Sequence, residues 1–214
     1  MNRVQTLHIP CRLLFIGIGA VMAFGSLAGS GSTITPLPEG QILRGRFQQV
    51  RFLQGLPAPL KSAGNFTLIP GRGLIWRAET PFVVTTVMTP AGLVQELKDR
   101  EIARLPSSRL PFMSKLYAML SGALSGDWAP LAAVFHIVRQ DDARNWRMRL
   151  EPITADDPTM PIRVITARGS RLLEELEVVK TGGDRDRLVF TNQKLEAAPA
   201  KAEELRLLDN AGEQ

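Results

Sequence analysis

The chain has 214 residues, of which 44% are hydrophobic and 22% charged, with a single cysteine and two histidines. That is enough apolar chain for one domain with a real core, and too few thiols and imidazoles for a disulfide framework or a Cys- or His-based metal centre. The formal net charge of +5 comes from signs that alternate along the chain, as in Glu96-Leu97-Lys98-Asp99-Arg100-Glu101 and Asp184-Arg185-Asp186-Arg187. Nucleic-acid binding gathers its cations on one element, so that class is excluded and only a weak attraction to anionic surfaces is left.

The amino terminus reads as a targeting segment. Arg3 and Arg12 precede an apolar run from Leu13 to Phe24, and Gly25-Ser26-Leu27-Ala28-Gly29-Ser30 supply small residues after it. Basic, apolar, small is the order of a secretory signal peptide. A membrane anchor would need ~20 apolar residues, whereas this run is interrupted by Gly17 and Gly19 and followed by Gly25 and Gly29. The expectation is therefore that residues 1–28 are removed at the Ala28–Gly29 bond, leaving an exported, periplasmic protein. Arg3 and Arg12 are the only charged side chains of that segment, so the remainder carries +3. Cys11 lies before the apolar run, where no lipid-modification signal places its cysteine, and the processed chain has no thiol. Residues 29–43 read as an N-terminal linker.

From Gly40 to Val94, short apolar runs are punctuated by proline and glycine, the pattern of antiparallel strands joined by turns. The strands predicted are Gly45–Leu53, Gly64–Ile69, Gly73–Arg77 and Phe82–Thr89, separated by Gly55-Leu56-Pro57-Ala58-Pro59, Pro70-Gly71-Arg72-Gly73 and Glu79-Thr80-Pro81. From Ser107 the period changes: Phe112, Leu116, Leu120 and Leu124 recur every four residues, with Met113, Tyr117 and Met119 beside them. This predicts an amphipathic helix with a wide apolar face. Ser125-Gly126 ends it, and Asp127 is a suitable cap for a short helix over Trp128–Ala133. Strands follow at Val134–Arg139, Trp146–Leu150 and Ile162–Ala167; in the second, Trp146, Met148 and Leu150 alternate with Arg147 and Arg149. Leu172–Lys180 is helical in its first half and strand-like in its second, and the Gly182-Gly183-Asp184 turn into Arg187–Phe190 favours strand. The Ala-, Glu- and Lys-rich residues 193–214, with Pro199, read as a polar tail, a helix loosely attached or partly disordered.

Catalytic chemistry has little to work with. His136 is the one histidine beyond residue 28 and sits in Val134-Phe135-His136-Ile137-Val138, where it reads as an ordinary strand residue rather than a general base. The pairs Asp141-Asp142 and Asp156-Asp157 abut loop-forming residues and read as solvated turns. Gly71-Arg72-Gly73 resembles a piece of a phosphate loop, but a strand and not a helix follows it. No catalytic residue, metal ligand or cofactor is assigned. The aromatic, leucine and methionine residues are consistent with the wall of a binding cavity or with ordinary core packing.

Segment order narrows the choice. Phe47-Gln48-Gln49 opens the first strand, Gly64-Asn65-Phe66 the second, and Gly73-Leu74-Ile75-Trp76-Arg77 leads to Thr80-Pro81-Phe82; Leu124-Ser125-Gly126-Asp127-Trp128 follows later with Leu131 and Phe135. Over residues 44–192 this resembles the outer-membrane lipoprotein carrier (LolA) family. The resemblance implies a mainly β, single-domain fold with some helix: an unclosed antiparallel β-barrel, or half-barrel, covered by short helices, with acyl chains of lipoproteins or related lipids held between. It makes Phe47, Phe66, Leu68, Leu74, Trp76, Phe112, Leu116, Leu120, Trp146 and Met148 candidate lipid contacts. It also implies partners: an acylated lipoprotein or lipid cargo, an inner-membrane donor complex and an outer-membrane acceptor, serving a monomeric, non-enzymatic carrier. One departure stands out. The carriers have an arginine before the turn into the Trp strand that helps hold the covering helix closed, and here Pro70 falls at that place, with Arg72 nearby as the candidate lid-regulating residue. The other classes that the residues allow are an envelope acyl-transfer enzyme or accessory factor, and a structural envelope protein.

Overall fold

Period-two alternation runs through most of the chain and folds it into strands. The computed structural model describes residues 36–212 except 39, 110, 143, 155–156 and 158–159, with 111–116 described as backbone only. The expected signal segment, Cys11, most of the linker and Asp156 lie outside the described residues.

The first six strands form a meander: β1 (Gln41–Phe52), β2 (Leu60–Ile69), β3 (Gly73–Thr80), β4 (Val84–Thr89), β5 (Gly92–Leu97) and β6 (Arg100–Pro106). Two helices follow, α1 (Pro111–Ser125) and the single-turn α2 (Ala129–Ala132), and then a second meander: β7 (Phe135–Asp141), β8 (Trp146–Pro152), β9 (Ile162–Gly169), β10 (Leu173–Lys180) and β11 (Arg185–Ala197). A last helix, α3 (Ala202–Gly212), ends the described chain. The first and last strands pair and fuse the two meanders into one antiparallel eleven-stranded sheet, in the order β6-β5-β4-β3-β2-β1-β11-β10-β9-β8-β7. β6 and β7 are its edges, so the barrel is unclosed.

Alternation sends successive side chains to opposite faces. On the concave face, Phe47, Phe66 and Leu74 from one meander meet Met148, Leu150 and Ile165 from the other, beneath Met119, Ala123 and Leu124 of α1. On the convex face, Ile75, Val87 and Val94 pack under Leu207, Leu208 and Ala211 of α3. Close strand approach matters at one glycine in particular. Gly64 lies at a register shift between β2 and β3, and a Cβ there would overlap the carbonyl oxygen of Arg77.

Two differences from the sequence reading have clear physical causes, and one ambiguous segment is resolved. The stretch of alternating charges at 96–101 is a hairpin joining β5 and β6, with Lys98 and Asp99 both at positive φ (51° and 60°). Positive φ at both central residues is the two-residue turn geometry usually marked by Asn-Gly, and Lys-Asp carries no such mark. The ambiguous segment at 172–180 is strand, as the turn after it favoured, and pairs with β9 and β11 on its two sides.

The second difference concerns the tail, which is neither loose nor disordered over its described part. Asn192 is not the end of a strand; its φ of 52° lies where the pairing shifts between Arg44 and Arg46, and β11 continues through it to Ala197. Beyond it, Glu204, Leu207, Leu208 and Ala211 share one buried stripe of α3. The Glu204 carboxylate accepts from Arg44 Nε (2.9 Å) and Nη2 (2.6 Å), Thr67 Oγ1 (3.2 Å) and the Lys201 backbone N–H (2.9 Å). Burial works to raise this carboxyl, but the bonds from Arg44, the Lys201 amide and Thr67 prevail and hold it below the usual carboxylate range.

Two outcomes are expected. Gly64→Ala forces β2 from β3 and destabilises the fold by about 1–3 kcal/mol in urea unfolding. Because the folded carboxyl of Glu204 is depressed, its contribution is present above the ordinary carboxylate range and is lost as pH falls through the folded value. Glu204→Gln is therefore expected to cost about 1–3 kcal/mol near neutrality and to flatten the acid limb of a stability-versus-pH profile.

Candidate functional site

Between the concave face and its helical cover lies a cavity of about 460 Å³. Met119, Leu120 and Ala123 of α1 roof it, together with Trp128 and Leu131 at α2. Its walls come from both meanders: Trp76, Met88 and Leu93 on one side, Leu150, Ile165 and Leu188 on the other. The size falls within the range of small-molecule sites, about 300–1,000 Å³.

The sequence-predicted lipid contacts divide into three groups. Trp76 and Leu120 line the cavity. Phe47, Phe66, Leu68 and Leu74 are fully buried and are not part of its lining. Phe47 stacks on Trp76 with centroids 3.8 Å apart, Phe66 lies 6.2 Å from it, and Phe190 meets both Phe66 and Trp76 edge-on at 5.6 and 6.2 Å. Trp146 and Met148 are likewise core residues, Trp146 packing edge-on against Trp128 at 5.7 Å. Phe112 and Leu116 lie on α1, but their side chains are outside the described residues.

Arg72 is placed elsewhere. It sits in the β2–β3 turn and donates from Nη2 to Asp209 of α3 at 2.6 Å. Its partner is thus the helix of the convex face and not the one that roofs the cavity.

Sequence reasoning missed most of the far wall. Leu150, Ile162, Ile165, Leu176, Val178 and Leu188 line the cavity at positions two or three apart on strands that were foreseen. The period-two signal was present, but assigning it to the cavity required knowing which face curls inward. The polar residues of the lining were missed entirely. Arg51 Nε donates to Asp186 Oδ1 at 2.7 Å, and Lys180 Nζ approaches Asp186 Oδ2 at 3.0 Å. Gln49 donates from Nε2 to Asp186 Oδ1 at 3.2 Å, and its Oε1 accepts from Ser62 Oγ at 3.3 Å. Burial works to raise the Asp186 carboxyl, yet Arg51 and Lys180 outweigh it and keep the group below its ordinary value.

Those residues considered for catalysis that are described lie outside the cavity lining. His136 is exposed on the edge strand β7. Asp141 pairs with Arg139 at 2.8 Å. Asp142 accepts the backbone N–H groups of Arg144 and Asn145 at 3.0 and 2.8 Å, bonds that lower its carboxyl and close a turn. Among the described residues no cluster of three or more His, Cys, Asp or Glu side chains is arranged to hold a metal, and no helix is long and apolar enough to cross a membrane.

A curled open sheet with an apolar cavity under short helices defines a class of β-proteins, the unclosed barrels with a helical cover. The sequence profile of the family described as outer membrane lipoprotein carrier protein LolA-like matches residues 34–210, and the chain belongs to that family. The match extends past the resemblance read from the sequence at both ends, and takes in β1 from its start and nearly all of α3. No curated protein shows significant sequence similarity to the chain. Solved structures similar to it include a LolA superfamily protein from Nitrosomonas europaea (8% identity, TM-score 0.38, covering 76% of this chain and 90% of that one). LprF from Mycobacterium bovis is similar at 16% identity and TM-score 0.37, with 76% and 88% of the two chains covered. The Mycobacterium tuberculosis lipoprotein LppX is similar at 10% identity and TM-score 0.36, with 76% and 89% covered.

The stacked floor beneath Trp76 generates a direct expectation. Phe47→Ala removes a fully buried ring and its stacking partner, and is expected to cost about 3–5 kcal/mol in equilibrium unfolding.

Proposed function

We propose that this protein is a periplasmic carrier of acyl chains. Acylated lipoproteins or related lipids give up a chain to the cavity on leaving an inner-membrane donor, cross the aqueous space shielded from water, and pass to an outer-membrane acceptor. The observation that carries this reading is the apolar, helix-roofed cavity itself, lined by Trp76, Leu120 and Leu150 and their neighbours. Family membership supports it. So does the amino-terminal sequence, in which residues 1–28 form an export signal. The carrier acts as a monomer and performs no covalent step; Ser62 in the lining donates to an amide, Gln49, and not to a base.

The energetics suit a carrier. Each methylene removed from water is worth ~0.8 kcal/mol, so a few buried methylenes hold a chain while a tighter acceptor can still withdraw it. With no covalent step, transfer runs toward the partner that buries more of the chain.

The test is native mass spectrometry of the protein purified from the periplasm, with organic extraction of anything bound, beside titration with a fluorescent fatty-acyl probe. An acylated species on the wild type, and probe affinity reduced at least about ten-fold in a folded Leu120→Asp variant but kept in Leu120→Met, is the expected result. A folded wild type that takes up no probe would overturn the reading.

A further inference from the structure

The concave face of the central strands is graded. Read along β1, its inward residues run Phe47, Gln49, Arg51, and the pairing register sets matching rows on its neighbours. Phe47 stands opposite Phe190 of β11 and Gly64 of β2; Gln49 opposite Leu188 and Ser62; Arg51 opposite Asp186 and Leu60. On β10 the order Leu176, Val178, Lys180 runs in the same sense. The cavity thus passes from aromatic, through amide and hydroxyl, to charged rows over about 13 Å, four residues of strand. Its titratable lining residues, Arg51, Lys180 and Asp186, all lie at the polar end.

Two cations share one carboxylate there, which leaves that end with a net positive charge. Asp186 is nearly enclosed, whereas the side chains of Arg51 and Lys180 are 44% and 34% exposed. Arg51 spends only Nε on Asp186, so among the described residues both of its Nη groups lack a protein acceptor. A guanidinium fork fixed at one nitrogen and open at two others, beside an ammonium, presents donors to phosphate or carboxylate oxygens. An amphiphile has the same polarity profile as the rows.

We propose that the Arg51–Lys180–Asp186 end of the cavity is a headgroup site for an anionic lipid, with Arg51 and Lys180 binding its phosphate or carboxylate while its acyl chain lies against Trp76. Asp186 is a positioning residue: it aligns the two cations and leaves one positive charge for the ligand. This deepens the carrier reading and rests on it, and narrows the cargo from any acyl chain to those with an anionic head close to the chain.

The test compares two probes of equal chain length, hexadecyl phosphate and hexadecanol, below their aggregation concentrations, together with inorganic phosphate, by calorimetry or displacement of a fluorescent acyl probe. The wild type is expected to bind hexadecyl phosphate at least about ten-fold tighter than hexadecanol. Arg51→Gln with Lys180→Gln is expected to erase that difference, with the larger loss of affinity falling on hexadecyl phosphate. Should the double variant fail to fold, Lys180→Gln alone, on a partly exposed side chain, is expected to reduce the preference, and Arg51→Lys to retain part of it. Equal affinities for both probes in the wild type would overturn the headgroup site and leave the carrier reading standing. Binding of neither probe would overturn the carrier reading. Inorganic phosphate binding as tightly as hexadecyl phosphate would show an anion site independent of the chain, and so overturn the lipid assignment. A merely structural ion cluster would lower stability in the variants without moving the ratio between probes.

Discussion

Eleven antiparallel strands curl far enough to make a concave apolar face, but β6 and β7 do not meet, so that face has no opposing sheet to bury against. Its cover has to come from the chain that crosses the gap, and that chain supplies one fifteen-residue helix and a single further turn. Protein interiors are packed to crystal-like density, and so short a cover does not bring enough side-chain volume to fill a trough this wide. The cavity is the remainder. It follows from the ratio of sheet to helix, and does not depend on any special arrangement of reactive groups.

The convex face solves the same burial problem differently. There α3 lies directly on β3, β4 and β5, and Leu207, Leu208 and Ala211 pack against Ile75, Val87 and Val94. Its polar anchors, Arg44 to Glu204 and Arg72 to Asp209, stand on the outer face or in a turn, away from the concave lining. Charge is thereby used to fasten the outer helix, while the described side chains of the inner cover that join the core, Met119, Ala123 and Leu124 among them, are apolar.

Much of this fold was legible in the sequence because strands bounded by proline and glycine announce their own ends, as Ile69 before Pro70-Gly71 and Thr80 before Pro81 do. What stayed hidden lacked such punctuation. The Lys98-Asp99 turn uses left-handed backbone without glycine or asparagine, and Asn192 looks like a terminator but marks a bulge inside a strand. The amphipathic stripe of α3 contains only two buried leucines, with a buried glutamate in line with them, too faint a period to separate from a polar tail. At the site, Trp76 stood out as a large aromatic on a recognisable strand. Phe47 and Phe66 have the same parity and the same chemistry, and only the curl of the sheet puts them behind Trp76 and not beside it. Arg51, Lys180 and Asp186 lie far apart in sequence among many other charges, and became a group only once β1, β10 and β11 were side by side.

The unpaired edges have a mechanical consequence. In a closed barrel the circumference is fixed by a continuous ring of ladder hydrogen bonds, and any widening must break some of them. Here the ring is interrupted once, between β6 and β7, and α1 and α2 lie in the chain between those two edges. Widening at that break removes no ladder hydrogen bond, so a change of bore there leaves every strand pair intact.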